Sequence, residues 1–315
     1  MANAELNCAL LAGGTGGAKL AVGLRDILHG FDGEPAERPG QLNVIANTGD
    51  DIEIYDVHVS PDPDLISFRL ADALDERGFG VRGETHETMD RRRKAGEEIW
   101  FELGDDDLAV CSRRGAALAD GKSLTEAHRL AMADYPTGGA TVLPMCDEPV
   151  RTVVETRSGS RGIQQFLIQD QSEPEIVRVE FGGAEHARAT ASVLAAVDTA
   201  DLIIVGPSNP IISIGPILAV PGIREAIEDS RAPVLAVSPF VEGAVMKGPT
   251  EKFLVAAGHE PEVAGVAAYY GDLVDAWVAD EPVIGRPHHL ASVSMPDRQS
   301  TRAVAAEILR YGASL

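Results

Sequence analysis

The first apolar run of the chain, residues 7–12, is short, unbroken and flanked by polar positions, the pattern of a strand buried on both faces. Gly13, Gly14, Thr15, Gly16 and Gly17 follow at once, after which Leu20, Leu24 and Leu28 recur four apart and predict a helix over residues 18–28. A second strand is expected at 42–46, ending in Asn47-Thr48-Gly49-Asp50-Asp51. Between residues 61 and 135 the pattern changes: it is charged, poor in β-branched runs and spaced for helices near 65–77, 86–95 and 106–118. Ser123 with Glu126 three residues on forms a capping box for a further helix that stops before Pro136. Strand patterns resume at 140–143, 151–156, 165–168 and 176–179, then a helix at 185–197, then apolar strands at 202–205 and 234–237. Helices near 250–257 and 301–309 complete the alternation.

Strands alternating with helices, with polar loops at strand carboxyl ends, predict an α/β protein with a doubly wound, mostly parallel sheet. Residues 61–135 are expected to form a helical insertion beside it. No repeat, low-complexity tract or linker interrupts the chain, so residues 1–315 read as a single domain.

Charge changes the picture of the partners. Forty-nine Asp and Glu against 27 Lys and Arg give a net charge of -22, and only Lys19, Lys94, Lys122, Lys247 and Lys252 are lysines. Such a surface repels polyanions and argues against a nucleic-acid partner. The same acidity, scattered rather than blocked, is what a protein needs to stay hydrated in a salty cytoplasm. Cys8, Cys111 and Cys146 lie far apart with no CxxC pair, which argues against a zinc ribbon or a disulfide framework. No apolar run reaches the roughly 18 residues that span a membrane, so a cytoplasmic protein without a membrane partner is expected.

Three loops carry candidate chemistry. Gly13 to Gly17 lies between strand and helix, where backbone amides and the helix N-terminus accept a phosphate, with Lys19 as a supporting cation. A tight structural connection would look the same. Lys19 follows Ala18 and Leu20 replaces the Ser or Thr of a Walker A loop, while the third glycine of a dinucleotide fingerprint is missing. Asp50, Asp51, Asp62 and Asp64 sit on loops where carboxylates hold a hard cation such as Mg²⁺ or take a proton. Asp64 could equally cap a helix and Asp50 close a turn. Gly206-Pro207-Ser208-Asn209-Pro210 presents Ser208 and Asn209 from a backbone stiffened by two prolines, either to a ligand or merely as a rigid turn.

Taken together, the motifs resemble those of the CofD family, the 2-phospho-L-lactate transferases of coenzyme F-420 biosynthesis. The matching stretches run from Ala12-Gly13-Gly14-Thr15-Gly16-Gly17-Ala18-Lys19 through Asn47-Thr48-Gly49-Asp50-Asp51 and Ser60-Pro61-Asp62-Pro63-Asp64. They continue in residues 100–109 (WFELGDDDLA), Leu143-Pro144-Met145, Gly206 to Pro210 with 213–218 (SIGPIL), Ser238-Pro239 and Lys247-Gly248-Pro249. The resemblance implies a Rossmann-like fold, Mg²⁺ and a homodimer. It implies a reaction in which a ribityl hydroxyl of 7,8-didemethyl-8-hydroxy-5-deazariboflavin attacks the lactyl-bearing phosphorus of a guanosine diphosphate conjugate, releasing GMP. An enolpyruvyl or glyceryl donor differs by a few atoms and would fit the same motifs.

Carried onto this chain, the resemblance places the metal at Asp50 and Asp64, with Asp64 as the catalytic group nearest the hydroxyl. It places the diphosphate among Gly13, Gly14, Thr15, Gly16, Gly17 and Asn47, the nucleotide against Ser208 and Asn209, and the deazaflavin near Glu102. Pro63, Glu102, Cys111 and Ile163 depart from the family pattern. The rival expectation is a related group of bacterial proteins, metabolic regulators that share the glycine loop and sheet but bind nucleotide sugars without catalysis. An NAD-dependent oxidoreductase is disfavoured by the faulty fingerprint.

Overall fold

The computed structural model describes residues 5–315. Its first half runs β1 (Leu6–Ala12), α1 (Gly14–His29), β2 (Gly40–Ala46), a hairpin of β3 (Ile52–Ile54) and β4 (Val57–Val59), and α2 (Pro61–Leu70). Three helices follow, α3 (Glu87–Lys94), α4 (Asp105–Ala119) and α5 (Leu124–Ala131), then β5 (Thr141–Pro144). A three-stranded antiparallel sheet is built from β6 (Arg151–Thr156), β7 (Gly159–Gly162) and β8 (Ile176–Gly182). The second half alternates α6 (Ala191–Asp198), β9 (Leu202–Val205), α7 (Gly215–Ala219), α8 (Ile223–Asp229) and β10 (Val234–Val237). The short hairpin β11 (Phe240–Val241) and β12 (Ala244–Val245), α9 (Thr250–Ala256), α10 (Val263–Tyr270), β13 (Ala276–Ala279), β14 (His288–Leu290) and α11 (Arg298–Gly312) close the chain.

Seven strands form one sheet in the order β14-β13-β10-β9-β1-β2-β5, and every neighbouring pair is parallel. The expected doubly wound α/β architecture is therefore present. Strands buried on both faces need apolar residues at every position, and β9, β10 and β13 are buried throughout. Alternation along β1 feeds two cores: Ala9 and Leu11 pack with β9, α6 and α8, whereas Cys8, Leu10 and Ala12 pack with α1, α2 and α11.

The chain starts at the centre, walks outward through β2 to β5, and returns on the other side of β1 at β9. That reversal makes the carboxyl ends of β1 and β9 the topological switch point, where open α/β sheets bind ligands. The glycine loop and Gly206 to Asn209 both lie there.

The block 61–135 contains α2 to α5 and carries two small cores, one around Phe68, Val110 and Met132, the other around Met89, Leu103 and Cys111. Its first helix starts earlier than the pattern predicts. Pro61 takes the first helical position, where its missing N–H costs nothing, so Asp62 and Asp64 stand in the first turn of α2 rather than on a loop. Two other expectations differ. Residues 165–168 are not a strand but part of a π-helical turn, Gln165–Gln169, and the helix expected from 185 begins only at Ala191, capped by Thr190.

Candidate active site at the switch point

The β1 and β9 loops are tied together by Ser208. Its hydroxyl donates to Gly13 O at 2.8 Å and accepts from Gly13 N–H at 3.3 Å. The glycines serve this contact. A Cβ on Gly16 would lie 2.2 Å from Pro207 O, and one on Gly17 would lie 2.7 Å from Ser208 Oγ. Gly14 differs: with φ +60° it sits in the left-handed region that favours glycine, and a Cβ there would make only an ordinary contact with Ser213 Oγ at 3.9 Å. Asn209 turns inward on its own chain, its Oδ1 accepting from the N–H groups of Ile211 and Ile212.

Asn47, fully buried at the end of β2, is the hub. Its Nδ2 donates to Asp50 Oδ1 and to Asp62 Oδ2, both at 2.9 Å. Asp62 Oδ1 accepts the Gly14 N–H at 2.7 Å, so a carboxylate faces the N-terminus of α1, where negative charge is favoured. Gln164, carried next to the site by the three-stranded sheet, reaches Asp50 Oδ2 at 3.3 Å. Burial, the neighbouring Asp62 and the nearby Asp51 push the Asp50 carboxyl well up against the pull of Asn47. Burial likewise pushes Asp62 up to about 6, against the bonds from Asn47 and Gly14 and with the help of Asp51. Asp51 itself is held by His58 Nε2 at 3.0 Å and by Ser60 Oγ at 2.8 Å.

These groups line a cleft of about 710 Å³, floored by Gly13, Gly14, Thr15 and Gly16 and walled by Asp50 and Asp62. Ser208 and Asn209 also line it, while Gly17 and Asn47 sit behind the wall. Asp64 is placed elsewhere. It forms an ion pair with the fully buried Arg114 of α4 and lies 3.7 Å from His128 Nδ1. Asp107 and Cys111, rather than Asp50, share its surroundings. Glu102 pairs with Arg93, half-exposed and away from the cleft lining. The structure thus brings Asp50 together with Asp62 and Gln164, not with Asp64. Asp62 was legible as part of an acidic motif, but Gln164 carried no chemical signal of its own.

Two buried carboxylates converging on one amide form an oxygen donor set that fits a hard divalent ion, because such an ion would offset the burial and mutual repulsion that now raise both carboxyls. Among the described residues no single helix is long and apolar enough to cross a membrane.

Known proteins share this chain's pattern over most of its length. A member of the UPF0052 family from Bacillus halodurans superposes with a TM-score of 0.64 over 97% of this chain and 99% of its own, at 17% identity, which speaks to the fold alone. A 2-phospho-L-lactate transferase from Methanosarcina acetivorans is 37% identical over 86% of this chain and 85% of its own length. One from Haloarcula marismortui is also 37% identical, over 86% and 87%. A phosphoenolpyruvate transferase from Thermobifida fusca is 36% identical over 94% of both chains. Residues 8–307 match the family described as "2-phospho-L-lactate transferase CofD". The chain therefore belongs to the CofD family and is a transferase.

Proposed function

We propose that the protein transfers a carboxylate-bearing phosphoryl group, 2-phospholactyl or phosphoenolpyruvyl, from a guanosine diphosphate conjugate to the ribityl hydroxyl of 7,8-didemethyl-8-hydroxy-5-deazariboflavin. The observation that carries this reading is the pairing of Asp50 and Asp62 on Asn47, beside the N-terminus of α1 and inside one cleft. In the reaction the hydroxyl oxygen forms a bond to the lactyl-bearing phosphorus. The bond from that phosphorus to the bridging oxygen breaks, GMP departs with that oxygen, and the hydroxyl proton passes to a carboxylate.

Asp50 is the carboxylate suited to take that proton. It lines the cleft, whereas Asp64 is turned to Arg114. Gly14 N–H and the N-terminus of α1 orient the diphosphate, displacing the bond they now make to Asp62. A Mg²⁺ held by Asp50 and Asp62 would supply charge neutralisation on the phosphoryl oxygens. Asp64, two residues on, acts through Arg114 to hold α2 against α4, a positioning role. A homodimer is part of this reading, and the mass in solution tests it.

Calorimetry with GDP and with a uridine diphosphate sugar separates this reading from a nucleotide-sugar-binding regulator. The transferase binds GDP in the presence of Mg²⁺ and adds the deazaflavin to that complex. Selective binding of the uridine sugar would overturn it.

A further inference from the structure

The cleft has a second polar feature. Lys19, Lys247 and Gly78 line it, and Arg69, in the last turn of α2, stands behind Gly78. A Cβ built on Gly78 would lie 3.9 Å from Arg69 Nη2 and 3.9 Å from Lys247 Nζ, so the two charged heads flank one small gap. Among the described residues none of the three makes an ion pair, in a chain with 49 acids for 27 bases. Lys19 donates only to Met295 O, at 2.8 Å, and Arg69 Nε is buried without a partner. Burial and the neighbouring charges of Arg69 and Lys247 lower the Lys19 pKa, and burial lowers that of Arg69. Two partly buried cations held at that cost beside the exposed Lys247 call for an anion.

Position along the helices says which anion. Lys19 is five residues past Gly14 and Arg69 seven past Asp62, so their backbones stand about 8 and 10 Å beyond the phosphate-facing ends. Helical side chains lean back toward the N-terminus, which brings both heads nearer to those ends than their backbones are. The phosphates are already addressed by the loop amides and by the cation that Asp50 and Asp62 would hold.

We propose that Lys19, Arg69 and Lys247 form a subsite for the carboxylate of the group being transferred. Resting on the transferase reading, this site makes a carboxylate a requirement of the donor, and it accepts lactyl and enolpyruvyl groups alike because both present one. Arg69 supplies the planar fork, Lys247 and Lys19 the point charges.

The test uses two donors with the full-length protein: guanosine diphosphate esterified with lactate, and the same compound with a plain ethyl ester. Wild-type protein binds the lactyl compound at least about 10-fold more tightly by calorimetry, the worth of one charge-assisted contact. In Arg69→Met and Lys247→Met that preference collapses to within about 3-fold of unity while GDP affinity is kept. Lys247 stands on a surface loop, so its variant guards against a folding defect at Arg69. Equal binding of both esters by the wild type overturns the subsite, as does a parallel loss of GDP affinity in the variants, which would assign the cations to the diphosphate. Because the readout is binding, the result stands whether or not the deazaflavin is then converted; failed conversion would count against the transferase reading alone.

Discussion

Asp62 and Asp64 lie two residues apart on the first turn of α2 and face different parts of the molecule. A step of two residues turns about 200° around a helix, so one carboxylate meets Gly14 and Asn47 at the cleft while the other meets Arg114 inside. Two acids that look equivalent in the sequence therefore meet different partners.

Replacing each one alone should separate those roles. Asp64→Asn leaves the Arg114 guanidinium buried without its counter-charge and should cost about 3–5 kcal/mol of stability, read as a lower urea midpoint. Asp62→Asn removes one of two repelling carboxylates and should keep or raise that midpoint while lowering transfer about 100-fold or more. The reverse pattern, a stable inactive Asp64→Asn and an active Asp62→Asn, would return the chemistry to Asp64.

The raised carboxyls also set a pH dependence. Asp62 titrates near 6 in the fold, above its ordinary value, so the unfolded chain ionises first as pH rises. Its stabilising contribution is complete below about pH 4 and is lost as pH climbs through about 6, and Asp50 acts in the same direction. A divalent ion binds the ionised pair, so millimolar Mg²⁺ should raise Tm more at pH 7 than at pH 5. Asp62→Asn should flatten that difference. A Tm increment equal at both pH values in the wild type would detach Mg²⁺ from this pair.

Gly16 is a packing residue in this structure. Its added methyl would meet a backbone carbonyl at 2.2 Å, which cannot swing aside as a flexible side chain would. Gly16→Ala should therefore lower stability by about 1–3 kcal/mol as the β1 and β9 loops are forced apart. GDP affinity should fall with it. An unchanged Tm with lost GDP binding would mean that the methyl occupies phosphate space instead.

At a net charge of -22, repulsion among surface acids opposes the compact state until salt screens it. The urea midpoint should rise between dilute buffer and molar KCl. A flat response would remove salt adaptation as the reason for the acidity.

Much of this fold was legible because buried parallel strands leave a plain signature. Residues 202–205 and 234–237 were read with the boundaries they have, since an unbroken apolar run admits little else at that length. The start of α1 was not: Gly14 to Gly17 belong to the helix but carry no side-chain periodicity to announce it. The stretch 165–168 mixes apolar and amide residues, and strand and helical turn cannot be told apart in so short a run. The site was half legible. Asn47, Asp50 and Ser208 follow from loops at strand ends, whereas the approach of Gln164 depends on a separate antiparallel sheet folding back over the cleft. The division between Asp62 and Asp64 depends on where α2 begins, which Pro61 decides.

Weighing the product decides whether the protein is this transferase. Purified protein is incubated with Mg²⁺, the deazaflavin and the guanosine diphosphate conjugate of lactate or of enolpyruvate, and the deazaflavin is analysed by mass spectrometry. The expected product is a phosphodiester carrying the three-carbon acid, formed mole for mole with GMP and lost in Asp62→Asn. Unmodified deazaflavin with both donors, or GMP released without that product, would rule the transfer out.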